Sequence, residues 1–422
     1  MQLIAKTYWA GAPFNFRGKP DATPESLVLR AADFRQHRAL YWAPPGRPKP
    51  KTAVVCIHPR VDFSHHYTFP RLLAAGVACL GANTRSPNND TDTVHEEIAL
   101  DVGSCVRFLK EKRGIDNVVL LGNSGGGSLA ALYQAQAAKL PSERLTSAPC
   151  GGRIHLADTE MPGADALVLV SAHRGQGQVL LDCIDPSVRD ESDPLSVDPA
   201  LDMYAPQNGF KEPPAWSEYS PEFVSRYRAA QRARVQRLDD HAKQLIERAQ
   251  AARPESLPAT ASFEQRQHLE RQSVVEHVMV VHRTMANLNY VSQHLDPSPR
   301  DYGSLLSDRP DLMNYRFFGF ARTCTPRAWL STWSGLSSKA DLCRNLAEVQ
   351  VPTLVAHAGA DREIYPADLQ AIFEAAAAPD KALLEFSEAR HYFEPEFGEK
   401  AAPQVEKLMD ALVPWILERF AV

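Results

Sequence analysis

Three residues of this 422-residue chain have the types needed to build an activated nucleophile: Ser124, Asp361 and His391. Ser124 sits in Gly122-Asn123-Ser124-Gly125-Gly126, a G-x-S-x-G run between the apolar stretch NVVLL and the small-residue stretch SLAALY. A serine hydroxyl attacks a carbonyl poorly until a base takes its proton, and the base needs an acid to orient it. A serine held on a tight strand-to-helix turn adopts a strained backbone, and only small neighbours fit around it. The same turn leaves the N–H of Gly125 at a helix N-terminus, where partial positive charge favours an oxyanion. Asp361 follows the apolar run VPTLVAHAG, and His391 follows KALLEF, so both are expected just past buried strands. Glu363 is the alternative acid. A phosphate loop would need Gly-Lys-Ser/Thr after the glycines, and none follows.

Those positions require a sheet. TAVVCIH (52–58), GVACLGANTR (76–85), NVVLLGN (117–123) and ADALVLVSAH (164–173) read as strands, the first a continuous apolar run buried on both faces. Residues 26–43 read as two strands around a polar turn. Helical stretches intervene near 69–75, 94–112 and 128–138; in the second, Ile98, Val102, Val106 and Leu109 mark one face. Strands alternating with helices predict an α/β fold with a mostly parallel sheet covered on both faces. The alternation stops at 174 and resumes at 351, with a helix at 366–378 and a closing helix at 403–420. The expected division is therefore a core of residues 1–173 and 346–422 and a mainly helical insertion over 174–345. Two helix starts are written into the insertion: Ser220-Pro221, and Ser262 with Gln265 as a capping box.

The elbow at 122–126, the Gly-x-x-Asp loop and the final histidine loop, in the order Ser, Asp, His, resemble the α/β-hydrolase fold over about residues 26–173 and 346–422. The insertion resembles the cap that many members carry at that point. The resemblance implies a serine hydrolase with Ser124 as nucleophile, His391 as base and Asp361 as its partner. It further implies an oxyanion hole from Gly125 and a residue after TAVVCIH. Pro59 has no N–H, so that donor is expected to be Arg60, with Val61 second, and His58 is read as either a loop anchor or a packing residue. Carboxylic-ester hydrolysis of a fairly apolar small molecule is the expected reaction. Amide, lactone, thioester or C–C cleavage, acyl transfer, and a non-catalytic binding protein are the alternatives. No organic cofactor or metal is implied.

Other features bound the function. A net charge of −5 and the absence of a basic run argue against a nucleic-acid partner. Seven cysteines without a CxxC pair argue against a disulfide framework or a zinc site. Residues 1–16 lack the apolar region of a signal peptide, and no run reaches the ~20 apolar residues of a membrane span, so a cytoplasmic location is expected. A homodimer is compatible with all of this. The adjacent His65 and His66 point apart on any regular element and do not suggest a metal. His173 is expected at the rim of the site. Trp329 and Trp333, in the aromatic stretch 316–335, are expected to give the cap an apolar wall. The arginines from Arg226 to Arg253 are expected on a solvated helix face.

Overall fold

The computed structural model describes residues 20–47, 49–87, 89, 91–252, 260–396, 399 and 401–422. The leader reading of residues 1–16 and most of the expected linker at 252–261 lie outside the described residues.

Eight strands form one sheet: β1 (Glu25–Arg30), β2 (Gln36–Trp42), β3 (Thr52–His58), β4 (Ala78–Asn83), β5 (Asn117–Asn123), β6 (Ala166–Val170), β9 (Thr353–Ala358) and β10 (Lys381–Phe386). Their spatial order is β1-β2-β4-β3-β5-β6-β9-β10. The pairs β1/β2 and β2/β4 are antiparallel and the others parallel. Parallel neighbours need a crossover between them. The crossovers use α1 (Phe69–Ala74), α2 (His95–Arg107) and α3 (Gly125–Ala137), and after the insertion α8 (Pro366–Ala375), with α9 (Pro403–Leu417) closing the chain.

The continuous apolar strands divide their side chains between two layers. From β3, Ala53, Val55 and Ile57 pack with Ile98, Val102, Leu129 and Leu132 of α2 and α3. Val54 and Cys56 pack on the opposite face with Phe69 and Leu72 of α1 and Leu408, Leu412 and Ile416 of α9. The period of 2 within each strand thus produces the two-faced core. The seven cysteines are all free thiols.

The insertion contains α4 (Gln176–Cys183), α5 (Pro221–Ala251), α6 (Phe263–Ser273) and, before β9, α7 (Leu342–Leu346), with a two-stranded ribbon of β7 (Met279–Val280) and β8 (Thr323–Cys324). Both expected caps form. Ser220 Oγ accepts from Phe223 N at 3.2 Å, and Ser262 and Gln265 make the reciprocal box. Long stretches between these helices are irregular, so the insertion is less helical than its α5 and α6 patterns suggest.

The insertion packs on the core, and one of its arginines departs from the expected solvated face. The insertion is not walled off from the core: Val235, Leu238, Ala242 and Leu245 of α5 share the α2/α3 layer. Only the first turns of α5, with Phe223 and Tyr227, pack in a separate cluster with Met203, Met285 and Leu288. Arg234 is fully buried rather than solvated. It pairs with Glu191 at 2.6 Å and donates to the carbonyls of Asp185 and His282. Next to it, buried Asp185 accepts from Arg283 Nη2 at 2.7 Å and from Asn314 Nδ2 at 2.8 Å. Buried charges persist only when paired and hydrogen-bonded, and this pairing ties three irregular segments together.

Candidate active site

The elbow is built as its glycines require. Ser124 has φ 53° and ψ −125°, a conformation costing about 1–3 kcal/mol that must be held by its surroundings. Its N–H donates to Val170 O at 3.0 Å, and its carbonyl accepts from Gly127 N at 3.1 Å. A Cβ on Gly122 would stand 2.4 Å from Gly127 Cα, which explains the small residue there. Asn123 anchors the turn from below: its Nδ2 donates to Val170 O at 2.8 Å, and its Oδ1 accepts from Tyr67 at 2.9 Å.

The parallel strands bring the distant partners to this point. Register pairs Ala358 of β9 with Phe386 of β10. Past those ends, Gly359 N donates to Phe386 O and Ala360 N to Ala389 O, joining the two loops. His391 Nδ1 lies 2.7 Å from Asp361 Oδ2, and His391 Nε2 lies 2.9 Å from Ser124 Oγ. A carboxylate only accepts, so Nδ1 carries the proton and Nε2 accepts from the serine hydroxyl. Asp361 Oδ1 accepts from the N–H of Glu363 at 2.8 Å and of Ile364 at 3.3 Å. All three side chains are buried. This chain of bonds can move a proton from the serine to the imidazole while the carboxylate steadies the resulting cation.

Among solved structures the chain is similar to DcsB, described in complex with its substrate analogue, at 13% identity with 94% of this chain and 100% of that one covered and a TM-score of 0.50. It is also similar to Est1E from Butyrivibrio proteoclasticus (10% identity, 93% and 98% covered, TM-score 0.44) and to the monoacylglycerol lipase of Paleococcus ferrophilus (14%, 90% and 98%, 0.41). No family model and no curated protein matches the sequence. The chain has the α/β-hydrolase fold.

Within this α/β-hydrolase fold, the other expected site residues divide. Glu363 is not the partner of the base: its carboxyl accepts from Tyr290 Oη at 2.8 Å and Leu305 N at 3.1 Å, and desolvation lifts its pKa to about 7. The expected donors Arg60 and Val61 both give their backbone N–H to His58 Nδ1, at 2.9 and 2.8 Å. Gly125 is placed as expected, at the first position of α3. His173 lies beside it: a Cβ on Gly125 would be 3.1 Å from His173 Nε2 and 3.0 Å from His58 Nε2.

The two tryptophans separate as well. Trp329 is fully buried, and its indole N–H donates to Asp239 Oδ1 of α5 at 2.7 Å, a bond within the insertion. Trp333 is also buried, and the Arg60 guanidinium lies 5.5 Å from its ring. His66 is structural: Nδ1 meets Thr68 Oγ1 at 2.8 Å and Nε2 meets Asn123 Oδ1 at 3.2 Å.

Sequence reasoning missed Gln176 and Glu394. Gln176 Nε2 would be 2.3 Å from a Gly125 Cβ, and its only sequence signal is its place just after His173 at the end of β6. Glu394 is partly buried near His391, and its charge helps to raise the pKa of the imidazole. A small cavity of about 10 Å³ between His173 and Glu363 is also lined by Arg174, Gln178, Val179, Asp182, Asn287 and Asp368. Among the described residues, no helix is long and apolar enough to cross a membrane.

Proposed function

We propose that the protein is a serine hydrolase that cleaves a carboxylic ester of a small molecule through an acyl-enzyme, without a metal or organic cofactor. The single observation that carries this reading is the continuous Ser124–His391–Asp361 chain at 2.9 and 2.7 Å, with the serine on a strained turn. Ser124 Oγ attacks the carbonyl carbon, and its proton passes to His391 Nε2. The imidazolium then protonates the leaving alcohol. Water, deprotonated by the same imidazole, releases the acid and restores the serine.

A panel of p-nitrophenyl esters of increasing acyl length tests the reaction class. Turnover of at least the short members is expected, and Trp333→Leu should change their ranking by a selectivity equivalent to about 1–3 kcal/mol. Turnover of a vinylogous diketone with none of the esters would favour C–C cleavage instead.

The pH profile is a second test. Burial lowers the pKa of His391, but the charge and hydrogen bond of Asp361 outweigh it, and the net shift is upward from 6.5. The protonated imidazole cannot accept the serine proton. In a kcat/KM profile the rate should therefore fall with decreasing pH through a midpoint above 6.5, and Asp361→Asn should lower that midpoint. A midpoint that does not move would show that Asp361 exerts no charge on the base.

A further inference from the structure

The loop after β3 leaves the oxyanion with one backbone donor, Gly125 N–H, because Arg60 and Val61 point their N–H groups at His58. That arrangement fixes something else. A nitrogen that accepts two N–H bonds carries no proton, so the proton of His58 is on Nε2. His173 is held the same way: its Nδ1 accepts from Gly175 N at 3.0 Å, which puts its proton on Nε2. Both Nε2 atoms converge on the side of Gly125 where a Cβ would stand, at 3.0 and 3.1 Å from that point. On a helical residue the Cα–Cβ bond and the residue's own N–H both tilt toward the helix N-terminus. The two imidazole Nε2 atoms therefore lie with the Gln176 amide on the Cβ side of Gly125, the side toward which its N–H also tilts. Gln176 Nε2 is closer still, at 2.3 Å, with its Oε1 turned to Ser128 Oγ at 3.4 Å.

The geometry points to a side-chain oxyanion hole, in which the N–H of Gly125 is joined by His58 Nε2–H as second donor and His173 Nε2–H as third. This rests on the serine-hydrolase reading above. When Ser124 Oγ bonds to the carbonyl carbon, the C=O π pair moves onto oxygen and the serine proton moves to His391. The three N–H groups receive that oxygen, and the pair returns when the C–O bond to the leaving alcohol breaks. Neutral imidazoles suit the task, since each offers one donor and no competing acceptor toward the oxygen. Both are kept neutral by their surroundings: burial, followed by the nearby Arg60, holds His58 well below 6.5, and burial with the neighbouring His391 and His95 takes His173 to about 3. Phe63 packs on the His58 ring at 5.1 Å and holds its plane. Donors fixed before reaction stabilise developing charge without reorganising.

Two measurements test it. In His58→Asn the amide oxygen takes the place of Nδ1 and can still accept from Arg60 and Val61, while the donor at Nε2 is lost. The expected result is a fall in kcat of about 10²–10³-fold with KM within about threefold and an unchanged melting temperature. Wild-type kcat would overturn the proposal and leave His58 as a loop anchor. Independently of turnover, the intact protein with ¹⁵N-labelled histidine is treated with a fluorophosphonate and its Ser124 adduct confirmed by mass. The Nε2 protons of His58 and His173 should shift downfield as they bind the phosphonyl oxygen. An adduct on Ser124 with both protons unmoved overturns the side-chain donors alone, whereas no adduct at all overturns the hydrolase reading with them.

Discussion

Ser124→Ala should fold normally and lose about 10⁶-fold in kcat. Among the described residues the serine side chain bonds to His391 alone, while the turn is held by backbone bonds to Val170 and Gly127 that alanine retains. Alanine in place of serine also relieves nothing at φ 53°, so the strain of the elbow is unchanged. His391→Ala should cost about the same, and the double variant little more, because members of one proton-transfer unit do not add. Asp361→Asn should cost about 10⁴-fold by permitting the wrong imidazole tautomer. Glu363→Gln should keep most of the activity, since its carboxyl faces Tyr290 and Leu305 rather than the imidazole. Steady-state kinetics on the best ester of the panel ranks these variants. A Glu363 variant slower than the Asp361 variant would reverse the assignment of the acid.

Trp329→Ala should lower the stability of the protein by about 3–5 kcal/mol and leave the ranking of substrates intact. The ring is fully buried between α5 and the core, and its removal opens a cavity that close-packed neighbours fill only in part. It also removes the indole donor to Asp239, whose other oxygen accepts from Ser334 and Ser337. A buried carboxylate that loses a partner retains its desolvation cost. Urea unfolding gives the stability change, and the ester panel gives the ranking. A changed ranking with unchanged stability would place Trp329 in the pocket.

How far the sequence carried each part has a physical explanation. The strands of the sheet were legible because a strand buried on both faces is an uninterrupted apolar run, as Thr52–His58 and Ala166–Val170 show. The meeting of Ser124, Asp361 and His391 was legible because side chains just past the C-terminal ends of parallel strands converge, and each follows such an end. His58 was read as a loop anchor or a packing residue, and the bonds from Arg60 and Val61 are those of an anchor; that these two N–H groups turn back on the histidine was not legible, since such a loop conformation has no periodic signature. Arg234 read as solvated because its helix is rich in charge, yet its partners Glu191 and the Asp185 and His282 carbonyls come from distant irregular segments. The packing of Trp329 against α5 was not legible for the same reason: an aromatic residue in an insertion packs against whichever element docks there, and α5 shares the main core.

The most direct measurement of the central claim is active-site labelling. Wild-type protein treated with a fluorophosphonate and digested should carry one phosphonyl group, on the peptide containing Ser124, with ester hydrolysis lost in proportion to labelling. Ser124→Ala should take up none. Labelling on another residue, or hydrolysis that survives complete modification of Ser124, would contradict the account.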